Sequence, residues 1–320
     1  MKERKAFIDW MKTIGIILIV YGHCFPMGEM TAFIYAFNVP LFFVVSGYLT
    51  KINEKTFIRK MWQGLILPYL LLSIIKNLHF YITHRSCSDI LMSLGYLMVG
   101  IHGDGEIPGC GNLWFVYALL LNKMWLLISG RYRFLGIIPC VLLLFVYKNN
   151  PLIPYSCAIV NSFMSYPLFV LGYWAKRRIK YKVEQNPCIT WVCAFVLLFF
   201  VWRIAHYNGV VSMWLGGYGN DFVLFILGSL IGVMAIYLIS TRIKSTPPII
   251  KVVSSGTIII LAFHMPMVRW LSHILVVRDD VPIFNNLALL VVSVIIVFVF
   301  TPIIVLIQKF MPWLIGRRKC

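Results

Sequence analysis

The stretch FIDWMKTIGIILIVYGHCF (Phe7–Phe25), followed by TAFIYAFNVPLFFVVSGYL (Thr31–Leu49), sets the character of the whole chain. Its first half is apolar enough to enter a membrane, yet it carries Asp9, Lys12 and His23. At 100° per residue, the step from Lys12 to His23 is three turns plus about 20°, so both point the same way on one helix. Asp9 falls within about 60° of them, and the rise from Lys12 to His23 is roughly 16 Å. A carboxylate, an ammonium and an imidazole on one stripe of a membrane helix are costly, which makes them candidates for function. The other reading places Asp9 and Lys12 at one membrane interface and His23 at the opposite one, all partly hydrated. Spacing leaves both open.

The rest of the chain has the same apolar character. Of 320 residues, 60% are hydrophobic and only 12% charged, against about 25% charged in soluble domains. The mean hydropathy is +0.85. These values predict an all-α polytopic membrane protein, with residues 1–320 forming a single integral-membrane domain. The first apolar segment is punctuated by polar residues and lacks a small-residue cleavage site, so it reads as a span, not a cleaved leader. Apolar runs predict ten helices, near 6–25, 31–49, 62–82, 112–128, 134–148, 156–175, 188–207, 221–241, 252–272 and 284–308.

A net charge of +18 suggests nucleic acid at first sight, but the basic residues sort by side of the membrane. With ten spans starting inside, 21 of the 29 Lys and Arg residues fall in segments on one side, among them Lys5, Arg59, Lys60, Lys176, Arg242 and Lys309. Five (Arg85, Lys148, Arg203, Arg269 and Arg278) fall on the other, and Lys12, Lys76 and Lys123 lie within helices. So strong a bias predicts that both termini are cytoplasmic. The charge is a topology signal, and no nucleic-acid partner is expected.

Several further groups stand out. Asn38-Val39-Pro40 interrupts the second apolar run, and proline there kinks the helix and frees a carbonyl. The kink reads either as packing alone or, because the short Met27-Gly28-Glu29 turn makes the two helices antiparallel neighbours, as placing Asn38 opposite His23 across the hairpin. FIRKMWQGLILPY (Phe57–Tyr69) carries Arg59 and Lys60 at a helix mouth, suited either to anionic lipid or to phosphates. The segment 83–111, long for a bare connection, holds His84, Arg85, Asp89, His102, Asp104 and Glu106, with a half-helix expected over 88–101. It has no HExxH-type ligand spacing, so no metal is expected. Cys87 and Cys110 share this segment and are the one pair for which a disulfide is considered. Arg203 and Asp221 flank a glycine-rich external loop, where they either pair or hold sugar hydroxyls. His264-Met265-Pro266, with Arg269 and His273 following at helical spacing, reads either as a satisfied buried histidine or as one wall of a polar cavity. No nucleophile elbow, Walker loop, dinucleotide fingerprint or internal repeat is present.

Taken together, IDWMKTIGIILIVYGH (Ile8–His23), YAFNVPLFFVVSGYL (Tyr35–Leu49), Phe57–Tyr69, NLWFV (Asn112–Val116) and SSGTIIILAFHMP (Ser254–Pro266) resemble acyltransferase family 3. This is the integral-membrane group that includes fucose, O-antigen and exopolysaccharide O-acetylases. The stretches follow the family's order, and ten helices fit its architecture. The resemblance implies acetyl-CoA as donor and a glycan or lipid-linked sugar as acceptor, in the cell membrane. It marks His23 as the general base and Lys12 as a donor contact, with Arg59 and Lys60 beside the donor phosphates. Asn38 stands where many relatives have histidine and is expected to hydrogen-bond the oxyanion. Asp9, Pro40, Trp114 and His264 are expected in support. The competing class is a glycan transporter or flippase without acyl-transfer chemistry, for which symmetric broken helices would be the signature.

Overall fold

The computed structural model describes residues 5–84, 86–103, 105–149, 157–178, 186–272 and 282–316. Arg85, Asp104, His273 and Arg278 lie outside the described residues, as do several of the basic positions near the termini and around 180. In chain order the helices are α1 (Ala6–His23), α2 (Glu29–Tyr35), α3 (Asn38–Leu49), α4 (Glu54–Met61), α5 (Leu67–Lys76), α6 (Leu78–Thr83), α7 (Cys87–Val99), α8 (Trp114–Ile128), α9 (Ile137–Asn149) and α10 (Ala158–Arg178). They continue with α11 (Pro187–Asn208), α12 (Phe222–Arg242), α13 (Pro248–Ser255), α14 (Thr257–Ser272) and α15 (Pro282–Phe310). A two-residue antiparallel ladder, Val211–Ser212 with Gly217–Tyr218, forms the only sheet among the described residues.

The protein is an all-α polytopic membrane protein. Among the described residues seven helical segments are long and apolar enough to cross a bilayer: Ala6–His23, Glu29–Leu49, Lys55–Lys76, Gly111–Ile128, Pro187–Asn208, Phe222–Arg242 and Ile283–Phe310. The bent pair Pro248–Ser255 and Thr257–Leu271 makes an eighth if counted as one span. The remaining two expected segments are helical too, as α9 and α10. The main departure is at 252–272, where the expected single helix is broken at Gly256 by an 82° bend. A Cβ at Gly256 would press on the Ile304 side chain at 2.5 to 2.6 Å, so this close approach favours glycine.

The chain divides into two compact units, and the first contains Met1–Val45, Arg177–Ser212 and Gly217–Val305. Within it α1 packs against α2, α12, α13 and α14, while α11 packs against α12 and α2. Ile16, Val20, Phe37, Leu41, Phe43, Phe225 and Ile260 fill its interior. Phe195, Phe199, Ile295 and Val299 face outward, as lipid-facing side chains of a membrane protein do. The second apolar run breaks at Ala36–Phe37, between α2 and α3. Pro40 explains the repair: it has no N–H to offer the carbonyl four residues back, which is that of Ala36. The Ser229 hydroxyl of α12 donates to that carbonyl instead, at 2.8 Å.

The second unit contains Ser46–Lys176, Met213–Gly216 and Leu306–Cys320. Between α4 and α5 the residues Trp62–Ile66 wind as a π-turn, and the Leu67 N–H reaches back five residues to the Trp62 carbonyl. Pro68 is the local cause, because it cannot donate to Gly64. Gly47, near the end of α3, lies directly on the backbone of α10. A Cβ there would overlap the Phe169 carbonyl oxygen and stand 3.0 Å from the Tyr173 nitrogen.

The long segment after α6 has the expected helix, α7, and then folds back over the junction of α5 and α6. Asn77 donates to the Gly109 carbonyl at 3.0 Å and Lys76 to that of Cys110 at 3.2 Å. Cys87 is an exposed free thiol and Cys110 a buried one, so the considered disulfide is not formed. His102 is buried in this loop, with its ring centroid 5.8 Å from that of Trp114 and 5.2 Å from that of Trp214. Burial, with the Lys76 ammonium adding to it, pushes the His102 imidazole down to about 3. The unfolded chain, with an ordinary value of 6.5, therefore takes up a proton on acidification that the folded loop refuses. Stability is full above the unfolded value and falls as pH drops from there toward 3, by about 1.4 kcal/mol per unit. Protease cleavage within 100–112 should accelerate between pH 6.5 and 4.5, and a His102→Phe variant should flatten that profile. An equally steep profile in the variant would exclude His102 as the cause.

Candidate active site

The first unit gathers the polar groups of the opening hairpin. α1 runs unbroken from Ala6 to His23, so Asp9, Lys12 and His23 share one rigid helix. Asp9 is 3% exposed despite its charge, a position tolerable only with partners. Ser254, in the last turn of α13, binds both of the neighbouring ionic groups. Its hydroxyl donates to Asp9 Oδ1 at 2.6 Å, and its carbonyl accepts from Lys12 Nζ. The bend at Gly256 ends α13 at the point where those two contacts are made. Ser254→Ala should leave Asp9 short of a donor and cost about 1–3 kcal/mol. Thermal unfolding in detergent would register this as a lower Tm, with Ser254→Thr close to wild type; an unchanged Tm for the alanine variant would refute it.

At the other end of α1, the His23 ring lies 5.0 Å, centroid to centroid, from that of His264, tilted by 46°. His264 is fully buried in α14. Its Nδ1 approaches the Ile260 carbonyl at 2.9 Å and the Leu261 carbonyl at 3.0 Å. Carbonyls only accept, so Nδ1 carries the hydrogen and Nε2 of the neutral ring is the acceptor nitrogen. The tautomer of the second histidine is thus set by its own helix.

Tyr35 donates to the Gly22 carbonyl at 2.9 Å, fastening α2 to the last turn of α1. Asn38 is buried, and its Oδ1 accepts from the Val39 N–H at 2.7 Å. Its Nδ2 lies 3.3 Å from where a Cβ on Gly22 would stand, so the amide occupies space that glycine leaves beside His23. Pro40 acts through the break at Ala36–Phe37 described above.

Arg59, Lys60 and Trp114 belong to the second unit. Arg59 and Lys60 are exposed in the last turn of α4, and Trp114 is buried at the start of α8 against Phe115 and His102. Arg203 and Asp221 do not pair: Arg203 donates to the Tyr207 hydroxyl at 2.8 Å, while Asp221 caps α12 by accepting from Val223 and Leu224. Sequence reasoning missed Ser254 as a shared anchor and Glu29 as the partner of His206, at 2.6 Å. Both links join residues far apart in the chain, and neither has a local spacing signal.

The turn end of this hairpin is held by α15. Asn286 accepts from the Met27 N–H at 2.7 Å and donates to the Met27 carbonyl at 3.2 Å. Asp9, Lys12 and Ser254 therefore meet near one end of α1, and His23, His264 and Asn38 near the other, with an anchored loop beyond. No curated protein and no solved structure matches the chain. The family model described as an acyltransferase domain matches residues 5–307, taking in every one of these groups, and the chain belongs to that family, acyltransferase family 3.

Proposed function

We propose that this protein transfers an acetyl group from acetyl-CoA to a hydroxyl of a sugar in a cell-surface or exported glycan, with His23 as the general base. The observation that carries the reading is the stripe on α1, anchored at Lys12 and ending in a histidine that faces a second, tautomer-fixed histidine. Imidazole suits the role because its ordinary pKa lies close to neutrality. His23 takes the proton from the acceptor hydroxyl as that oxygen attacks the thioester carbonyl. The carbon–sulfur bond then breaks, and the CoA thiolate leaves and recovers a proton from the imidazolium. The Asn38 amide is the hydrogen-bond donor assigned to the oxyanion. Lys12 is the donor contact on α1. Arg59 and Lys60, exposed on the second unit, offer phosphates a separate landing surface. In this reading both termini are cytoplasmic, the donor arrives from that side, and the membrane is the cell membrane.

Membranes carrying the protein, given radiolabelled acetyl-CoA and endogenous glycan, test this directly. Label should appear in glycan with stoichiometric release of CoA. Movement of glycan across the membrane without CoA release would establish the transporter class instead.

A further inference from the structure

A cavity of about 440 Å³ opens beside the loop that follows His23. It lies wholly within the first unit, between the Met27–Phe33 segment, Leu198 and Trp202 of α11, and Asn286 of α15. Its size falls in the range of small-molecule sites. The lining combines three chemistries. Trp202, 39% exposed, supplies an aromatic face. Glu29 stands on the wall as a carboxylate that engages His206 through Oε1. Asn286 adds a side-chain amide that is held rigid by its two bonds to the Met27 backbone.

We infer that this cavity is the acceptor subsite and takes one pyranose ring of the glycan, an inference that rests on the acyl-transfer reading above. A sugar ring presents an apolar C–H face and a rim of hydroxyls, matching an indole beside a carboxylate and an amide. An acyl chain carries no group able to hydrogen-bond the remaining polar atoms of Glu29 and Asn286. The phosphates of a CoA donor would be repelled by Glu29, whereas Lys12 near the far end of α1 attracts them. Met27, whose backbone Asn286 clamps, is only four positions beyond His23. The cavity is therefore lined by the loop that leaves the last turn of α1, where His23 stands.

The test uses full-length protein in nanodiscs and a panel of methyl glycosides of hexoses, deoxyhexoses and N-acetylhexosamines. Saturation-transfer NMR without donor reads binding, and CoA release with acetyl-CoA reads transfer. Trp202→Ala should abolish the binding signal and raise the acceptor KM at least about tenfold, a loss of about 1.4 kcal/mol. Glu29→Gln should weaken binding less, and Met30→Trp, which fills the cavity from its rim, should block it. Glycoside binding with unaltered strength in Trp202→Ala and Met30→Trp would overturn the subsite, and so would a rise in the KM for acetyl-CoA in place of the acceptor. Binding that is lost in these variants, while wild type shows no CoA release, would keep the sugar site and remove the acyl-transfer reading.

Discussion

His23→Ala is expected to lower acyl transfer by about 10³-fold, within the 10²- to 10⁴-fold range that a positioned base supplies. An alcohol hydroxyl is a poor nucleophile until its proton is being removed, and alanine removes nothing. The ring sits at the last position of α1, half-buried, and its described neighbour of note is His264. Truncation there leaves the Tyr35–Gly22 and Asn286–Met27 fastenings intact. Insertion, and the KM for acetyl-CoA, should therefore stay near wild type while kcat collapses. That split separates loss of chemistry from loss of fold. Activity within a few-fold of wild type, in protein shown to be inserted, would remove His23 from the role of base.

Gly47→Leu is expected to prevent stable folding. The α3 backbone at Gly47 is in contact with the α10 backbone at Phe169 and Tyr173, where even a methyl group overlaps the Phe169 carbonyl oxygen. Main chain cannot rotate aside as a side chain does. The helices would have to separate, and their contact, which in a membrane rests on close packing of small residues, would be lost. Overpacking of a well-packed interior costs about 1–3 kcal/mol even when side chains can adjust, so a backbone clash should exceed that. Gly47→Ala should already lower the detergent Tm, and Gly47→Leu should leave little protein in the membrane fraction. Wild-type yield and Tm for the leucine variant would show that α3 and α10 do not pack this closely.

These cases show how far the sequence could be read. The polar stripe Asp9–Lys12–His23 was legible because helical periodicity is local, and one helix holds all three. The membrane class followed from composition, and helix positions from apolar runs. The 82° bend was not legible: Ser255-Gly256-Thr257 lies in an otherwise regular apolar stretch, and the reason for a glycine there is Ile304, a residue of a distant helix. Ser254 escaped for the same reason, since its partners Asp9 and Lys12 lie about 240 positions away. Arg203 and Asp221 illustrate the opposite error. Opposite charges flanking a loop suggested a pair, but a helix start claims an aspartate more cheaply through its N–H groups, and that is where Asp221 went.

Because α13 stops at the bend, the carbonyl gripped by Lys12 belongs to the end of a half-helix, the pole where partial negative charge collects. The Lys12 ammonium therefore lies where the fixed dipole of α13 favours positive charge. The break in the helix therefore does two things at once: it turns the chain, and it presents to the cation a negative pole that an unbroken helix would keep satisfied within itself.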